Sequence, residues 1–415
     1  MNQGLTRRQF LGAAGGIAGL ALGGTLVWSR LVDDQVQEQA SSTTVPRRDG
    51  RILVVLEING GNDGLNTLVP ASGTYRDLRP TLGIPESSLV PLEGRTDFAL
   101  HPELAPLASL WAAGQLAAIH GIGFHDQTRS HFAEMDRWRA GGGDASWLGR
   151  WLDATAGEQE TPLRAIGLGT DTRVLTAANS LSTVVQDPAS FQLLAPQSAQ
   201  TDPDAVVAAF LATSSPVGGG SQFAAAQQSI PATRDAVDVF REATAGTAAA
   251  TAPQPGAPPD KASRYFEVAS RLIELDVGAE VIVVGIDGFD THANQPGRHD
   301  LLLADIAQGL SGFVTEMERQ GRSDDVLVVT TSEFGRRVAE NGSDGTDHGK
   351  ANVLFVTGTQ VNGQIVGEVG LDAIDDEGDL PVEIDARSLY AIALDWLGGP
   401  TDEILAGSYD RFGII

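Results

Sequence analysis

Ile52-Leu53-Val54-Val55-Leu56 is apolar at five consecutive positions, with no polar residue alternating between them. A strand with one face in water alternates apolar and polar residues; an unbroken run of β-branched and leucine residues reads as a strand covered on both faces. Leu116–Ile119, Arg164–Gly167, Val281–Val284, Val326–Thr331 and Val353–Val356 read as further strands. Between them lie segments with helical spacing: Glu103–Ala113, Ser130–Arg139, Trp147–Ala154, Lys261–Leu275, Asp300–Arg319 and Asp385–Trp396. In Asp300–Arg319, Leu302, Ile306, Leu310, Phe313 and Met317 share one face and Gly321 supplies the stop. Asp385 is placed to cap the last helix, with Gly398 just beyond its end. Strands alternating with helices predict an α/β fold, a doubly wound and mainly parallel sheet with helices on both faces.

The chain divides unevenly. Thr6-Arg7-Arg8-Gln9-Phe10-Leu11 sets paired arginines before a glycine-rich apolar stretch reaching Trp28, the layout of a twin-arginine export signal. Residues 1–30 are therefore expected to be a signal or a retained N-terminal membrane anchor, and 31–50 a polar linker. The body is expected over 51–415, with a loosely patterned insertion at about 187–260 that includes an Ala/Thr/Pro/Gly tract from Thr244 to Asp260. The expected location is periplasmic, cell-surface or secreted. The chain holds no cysteine, so disulfides, thiolate metal sites and a cysteine nucleophile are excluded. With 28 Lys+Arg against 54 Asp+Glu, the net charge of -26 repels nucleic acid and attracts cations.

In a parallel sheet, ligands bind beyond the carboxyl ends of the strands. The polar clusters of this chain follow its strands directly. Asn59 to Asn66 follows the first; His120, His125, Asp126, Thr128, Arg129, Ser130 and His131 follow the second. Asp287, Asp290, His292, Asn294 and Gln295 follow Val281–Ile286, and Ser332, Glu333 and Arg336 follow Thr331. Each set alone also suits a plainer role: Asn62-Asp63-Gly64 and Asp347-His348 a turn, Asp290-Thr291-His292 a capped turn, Ser130 a helix N-cap. His101 and His299 are read as structural.

His348, in Asp344–Gly349, reaches this rim only if the next strand runs backwards. A parallel crossover needs a dozen or more residues and usually a helix. Phe334–Asn352 is long enough, but it is polar, glycine-rich and without helical period. An antiparallel return is therefore expected at Val353–Val356, bringing His348 beside Glu333.

Asp, Glu and His without Cys form a ligand set for Zn²⁺, Mn²⁺, Mg²⁺ or Ca²⁺. Such ions polarise ester oxygens and activate water or a hydroxyl. Thr128 or Ser130 could supply that hydroxyl, and Arg129 and Arg336 could grip a phosphate or sulfate. These parts together suit hydrolysis of phosphate or sulfate esters.

The motifs NGGNDGLN (Asn59–Asn66), RSHF (Arg129–Phe132), FDTHANQ (Phe289–Gln295), TSEFGRR (Thr331–Arg337) and GTDHGKAN (Gly345–Asn352) occur in an order that resembles the domain of unknown function 1501 family. The resemblance covers nearly all of the chain after the signal. It implies twin-arginine export and an alkaline phosphatase- and sulfatase-like fold, the family having no settled activity. It also implies that Asp290, His292, Glu333 and His348 bind metal, with Asp63 or, in competition, Asn59 as the early ligand. By order along the chain Ser130 is the expected nucleophile, with Thr128 next. Where the likened enzymes have Asp-His-Gly, this chain has Glu333-Phe334-Gly335, and phenylalanine cannot ligate. Two functions are therefore expected in competition. One is an exported metal-dependent hydrolase of small-molecule or glycan esters. The other is a non-catalytic envelope protein binding a glycan or a second exported protein.

Overall fold

The computed structural model describes residues 50–157, 161–193, 235–246, 259–367 and 370–415, together with two short extended stretches, Ala21–Leu22 and Gly24–Val27. The arginine pair, the linker and most of the 187–260 insertion lie outside the described residues. Seven strands carry the main sheet: β1 Ile52–Asn59, β2 Leu116–Gly123, β3 Ala165–Leu168, β4 Ser182–Val185, β5 Val281–Asp287, β6 Val326–Thr331 and β7 Asn352–Thr357. Their order across the sheet is β2-β7-β6-β1-β5-β3-β4, with Ile365–Val366 beyond β2 and Gly24–Val27 beyond β4.

The unbroken apolar runs are the strands of this sheet. Along β1, Ile52, Val54, Leu56 and Ile58 enter one hydrophobic core, and Leu53 and Val55 enter the other. On the first face lie α3 (Lys261–Glu274) and α4 (Gln295–Gln320), contributing Phe266, Leu310 and Phe313. On the second lie α2 (Trp147–Ala154) and α5 (Arg387–Leu397), contributing Trp147, Trp151, Leu389 and Trp396. A further helix, α1 (His131–Ala140), follows the loop after β2.

β1, β3, β4, β5 and β6 are mutually parallel. The expected reversal is at β7, which pairs antiparallel with both β6 and β2. Registers pairing Asp287 with Asn59 and Thr331 with Glu57 bring three strand ends to one rim. The reversed β7 starts at that same rim, its Asn352 opposite Ile122 near the end of β2.

Helix starts differ from the periodicity. α4 begins at Gln295 rather than Asp300, because Pro296 suits a first turn and Asn294 takes a left-handed conformation before it. α5 begins at Arg387 rather than Asp385; Asp385 pairs with β2 and accepts the Arg387 N–H at 2.9 Å. A small antiparallel sheet of Leu68–Pro70, Val90–Pro91 and Phe98–Leu100 has no counterpart among the expected strands, since two- and three-residue strands with prolines carry no period. No helix of the described residues is long and apolar enough to cross a membrane.

Candidate metal centre

Four side chains from two rim loops and the start of α1 meet at one carboxylate oxygen of Asp290. Asp290 Oδ1 lies 3.2 Å from His292 Nε2, 3.3 Å from His348 Nε2 and 3.5 Å from His131 Nε2. Arg336 Nη2 donates to the same oxygen at 2.9 Å. The Nε2 atoms of His292 and His348 are only 2.8 Å apart. Asp290 and His292 are about half exposed, and His131 and His348 less so, which leaves the group open to solvent on one side.

The other nitrogen of each ring is held. His348 Nδ1 faces the Arg129 carbonyl at 2.8 Å, and a carbonyl only accepts. His292 Nδ1 faces Asp347 Oδ1 at 3.2 Å; the Asn341 amide, ahead of His292 itself, holds that carboxyl below its usual range. His131 Nδ1 faces Glu333 Oε1 at 2.8 Å, an oxygen that also accepts the Gly60 N–H at 2.8 Å. All three Nδ1 atoms therefore carry the proton of a neutral ring, and all three Nε2 atoms carry a lone pair. Lone pairs facing each other at such distances repel unless a cation or a proton lies between them. His131 Nε2 is buried without a hydrogen-bond partner. Asp290 Oδ1, His131 Nε2 and His348 Nε2 lie close enough together to hold a divalent cation, with His292 Nε2 beside them.

Burial works against the charge of Asp290, but hydrogen bonding and the charge of Arg336 prevail and pull its pKa down to about 2. Hydrogen bonding to Glu333 raises the pKa of His131, whereas burial lowers that of His348.

Several expected site residues stand elsewhere. Asp63 is fully buried, paired with Arg79 at 2.6 Å and bonded to the Gln295 amide, so its carboxylate is committed to a structural ion pair. Asn59 donates to Asp287 Oδ1 at 3.2 Å. Glu333 stands behind His131, orienting its ring. Neither arginine is free to grip an anion. Arg336 is buried and donates to the carbonyls of Gly61 at 2.7 Å, Thr346 at 2.9 Å, Phe289 at 3.0 Å and Gly60. The Arg129 side chain turns to Glu377 and Asp379. The Thr128 hydroxyl donates to Glu134 Oε1 at 2.9 Å. Ser130 is exposed at the N-cap position of α1, but its hydroxyl caps nothing.

His131 is the member that sequence reasoning missed. Its signal was its place in a strand-end loop with other polar residues, but adjacent hydroxyls and a helix start offered it other roles. His101, His299 and Asp300 also approach one another, yet His101 Nδ1 accepts the Glu103 N–H at 3.1 Å. The proton of a neutral His101 ring is then on Nε2, which faces Asp300 Oδ1 at 3.2 Å, and no lone pair is left for a cation.

A family model described as "Protein of unknown function (DUF1501)" matches residues 139–380, more than half of the chain. No curated protein matches it. Among solved structures, a protein in the alkaline phosphatase superfamily from Vibrio parahaemolyticus is 8% identical with a TM-score of 0.38; the match covers 84% of this chain and 66% of that one. The sulfatase PsFucS1 from Pseudoalteromonas sp. is 12% identical with a TM-score of 0.38, covering 87% of this chain and 70% of that one. The C-terminal periplasmic domain of EcEptC from Escherichia coli is 11% identical with a TM-score of 0.37, covering 91% of this chain and 87% of that one.

Proposed function

This chain belongs to the family described as Protein of unknown function (DUF1501), and we propose that it is an exported, metal-dependent hydrolase of phosphate or sulfate esters. One observation carries the reading: three imidazoles with their Nδ1 atoms held from behind turn their Nε2 atoms to the Asp290 carboxylate. Asp290, His131, His292 and His348 are the proposed ligands, and an imidazole-rich set favours Zn²⁺ over Mn²⁺, Mg²⁺ or Ca²⁺. A divalent cation bound there supplies Lewis acidity, drawing charge from an ester oxygen and making water easier to deprotonate. The protein's own groups do the rest. Arg336 fixes the Asp290 carboxylate and keeps it ionised. Glu333, Asp347 and the Arg129 carbonyl set the ring orientations. Ser130, exposed, uncommitted and one residue before His131, is the proposed attacking hydroxyl, since that of Thr128 is donated to Glu134. Export rests on the arginine pair Arg7-Arg8 and the apolar stretch after it.

Metal content of the folded full chain tests this, measured beside His292→Ala and His348→Ala, with turnover of aryl phosphate and aryl sulfate beside Ser130→Ala. The expected result is about one Zn²⁺ per wild-type chain, little in the two His variants, and turnover lost in Ser130→Ala with metal retained. Negligible metal in every form would remove the hydrolase. A second reading, a non-catalytic binding or scaffold protein, is favoured by the commitment of both Arg129 and Arg336 to protein acceptors. It predicts bound metal without turnover of either probe.

A further inference from the structure

Asp375, Glu377 and Asp379 lie together in one loop and have the side chains to hold a cation. Two cations of the protein already fill that place. Lys350 Nζ lies 2.7 Å from Asp375 Oδ2 and 2.9 Å from Glu377 Oε2. The Arg129 guanidinium pairs with Glu377 and lies 2.6 Å from Asp379 Oδ2. Asp379 is fully buried, and its charge is compensated first by Arg129 at 2.6 Å and then by Lys350 and Arg337 at 3.9 and 4.0 Å. The Asp375 side chain also ties the loop together, its Oδ1 accepting the N–H groups of Glu377 at 2.9 Å and Asp379 at 3.0 Å.

Both gripped residues flank the proposed ligands. Lys350 is two residues after His348, and Arg129 two before His131. Arg129 has a φ of 58°, a left-handed backbone that a non-glycine residue adopts only when its surroundings hold it there. In that conformation its carbonyl accepts from His348 Nδ1 at 2.8 Å, the contact that leaves the His348 Nε2 lone pair facing Asp290.

We infer that the 375–379 loop is a charge clamp for the metal centre, with Glu377 and Asp379 as positioning residues that aim His348 through the Arg129 backbone. This rests on the metal-centre reading above. Neither acid touches the ligand group; each acts on the side chain of Arg129, whose carbonyl orients the ring.

The test is metal affinity, measured in the full chain by competition for Zn²⁺ with a chromogenic chelator, and ligand geometry, measured as the visible absorption of the Co²⁺-loaded protein. The wild type is compared with the Glu377→Gln/Asp379→Asn double variant and with Arg129→Gly. Glycine at 129 tolerates the left-handed backbone, so this second variant removes the clamp without the backbone strain. The expected result is Zn²⁺ affinity lower by about 10- to 100-fold in both variants, with an altered Co²⁺ spectrum. Wild-type affinity and spectrum in folded Arg129→Gly would overturn the clamp while leaving the metal centre intact. A wild-type chain that takes up neither ion would overturn both.

Discussion

Asp63 keeps its charge in the interior because Arg79 is there to meet it. Both side chains are fully buried, and Arg79 also donates to Asn66 Oδ1 at 2.7 Å and to the carbonyls of Val338 at 2.7 Å and Arg337 at 2.9 Å. Burial opposes the carboxylate, yet the Arg79 charge and hydrogen bond outweigh it and hold the Asp63 pKa below its ordinary value. Removing one partner of such a pair strands the other, at a cost of about 3–5 kcal/mol. Asp63→Asn should therefore lower unfolding free energy by that order in urea titrations at neutral pH, while bound metal per folded chain stays at the wild-type level. A loss of metal in the folded variant would return Asp63 to the ligand set. The pH dependence has a definite sign. A carboxyl with a depressed folded pKa contributes stability that is present above its unfolded value of about 4. That contribution is lost as pH falls through the folded value, so wild type and Asp63→Asn should converge in strong acid.

The reversed strand β7 brings His348 to the rim, and its approach is made by two close passes of backbone. A Cβ at Gly335 would collide with the Ala351 carbonyl, and one at Gly349 with the Arg336 backbone. Arg336 and His348 form an antiparallel bridge across this narrow loop. Gly349→Ala should push the arms apart and cost about 1–3 kcal/mol, as overpacking does, with a drop in metal affinity as His348 moves. Thermal unfolding with chelator competition checks both; a destabilised variant of unchanged affinity would mean that His348 is placed independently of the loop. This element was legible in the sequence because the signs of it were local: a polar stretch without helical period cannot cross over, so the chain had to return. The strands were legible for the same reason, their burial being written in consecutive residues. The roles of His131 and Glu333 were not. They are separated by 202 positions, and only the 2.8 Å contact between them decides that the histidine faces Asp290 and the glutamate stands behind it. Nor could composition reveal that Arg129 and Arg336 face acceptors of the protein itself.

Across the whole molecule, titration and metal binding should act on folding in separate ways. His120 and His299 are buried, and burial lowers each pKa from 6.5 to about 4. An imidazole with a depressed folded pKa stabilises the fold fully above its unfolded value, and this is lost as pH falls from 6.5 toward 4. Each histidine accounts for roughly 3 kcal/mol over that window, so stability should decline well before the carboxylates titrate. His299→Gln, measured by urea unfolding between pH 7 and 4, should show a shallower decline than wild type; an equal slope would remove His299 as a cause. The proposed ligands stand on the β5–α4 and β6–β7 loops and at the start of α1. A cation there stabilises only the folded chain, because the unfolded chain cannot bring Asp290, His131, His292 and His348 together. At free Zn²⁺ a hundredfold above the dissociation constant the gain is about 2.7 kcal/mol. Unfolding at pH 7 should therefore shift to higher urea when Zn²⁺ replaces a chelator in wild type, and stay unshifted in His292→Ala and His348→Ala. A Zn²⁺ shift retained in both His variants would place the ion elsewhere on this acidic chain.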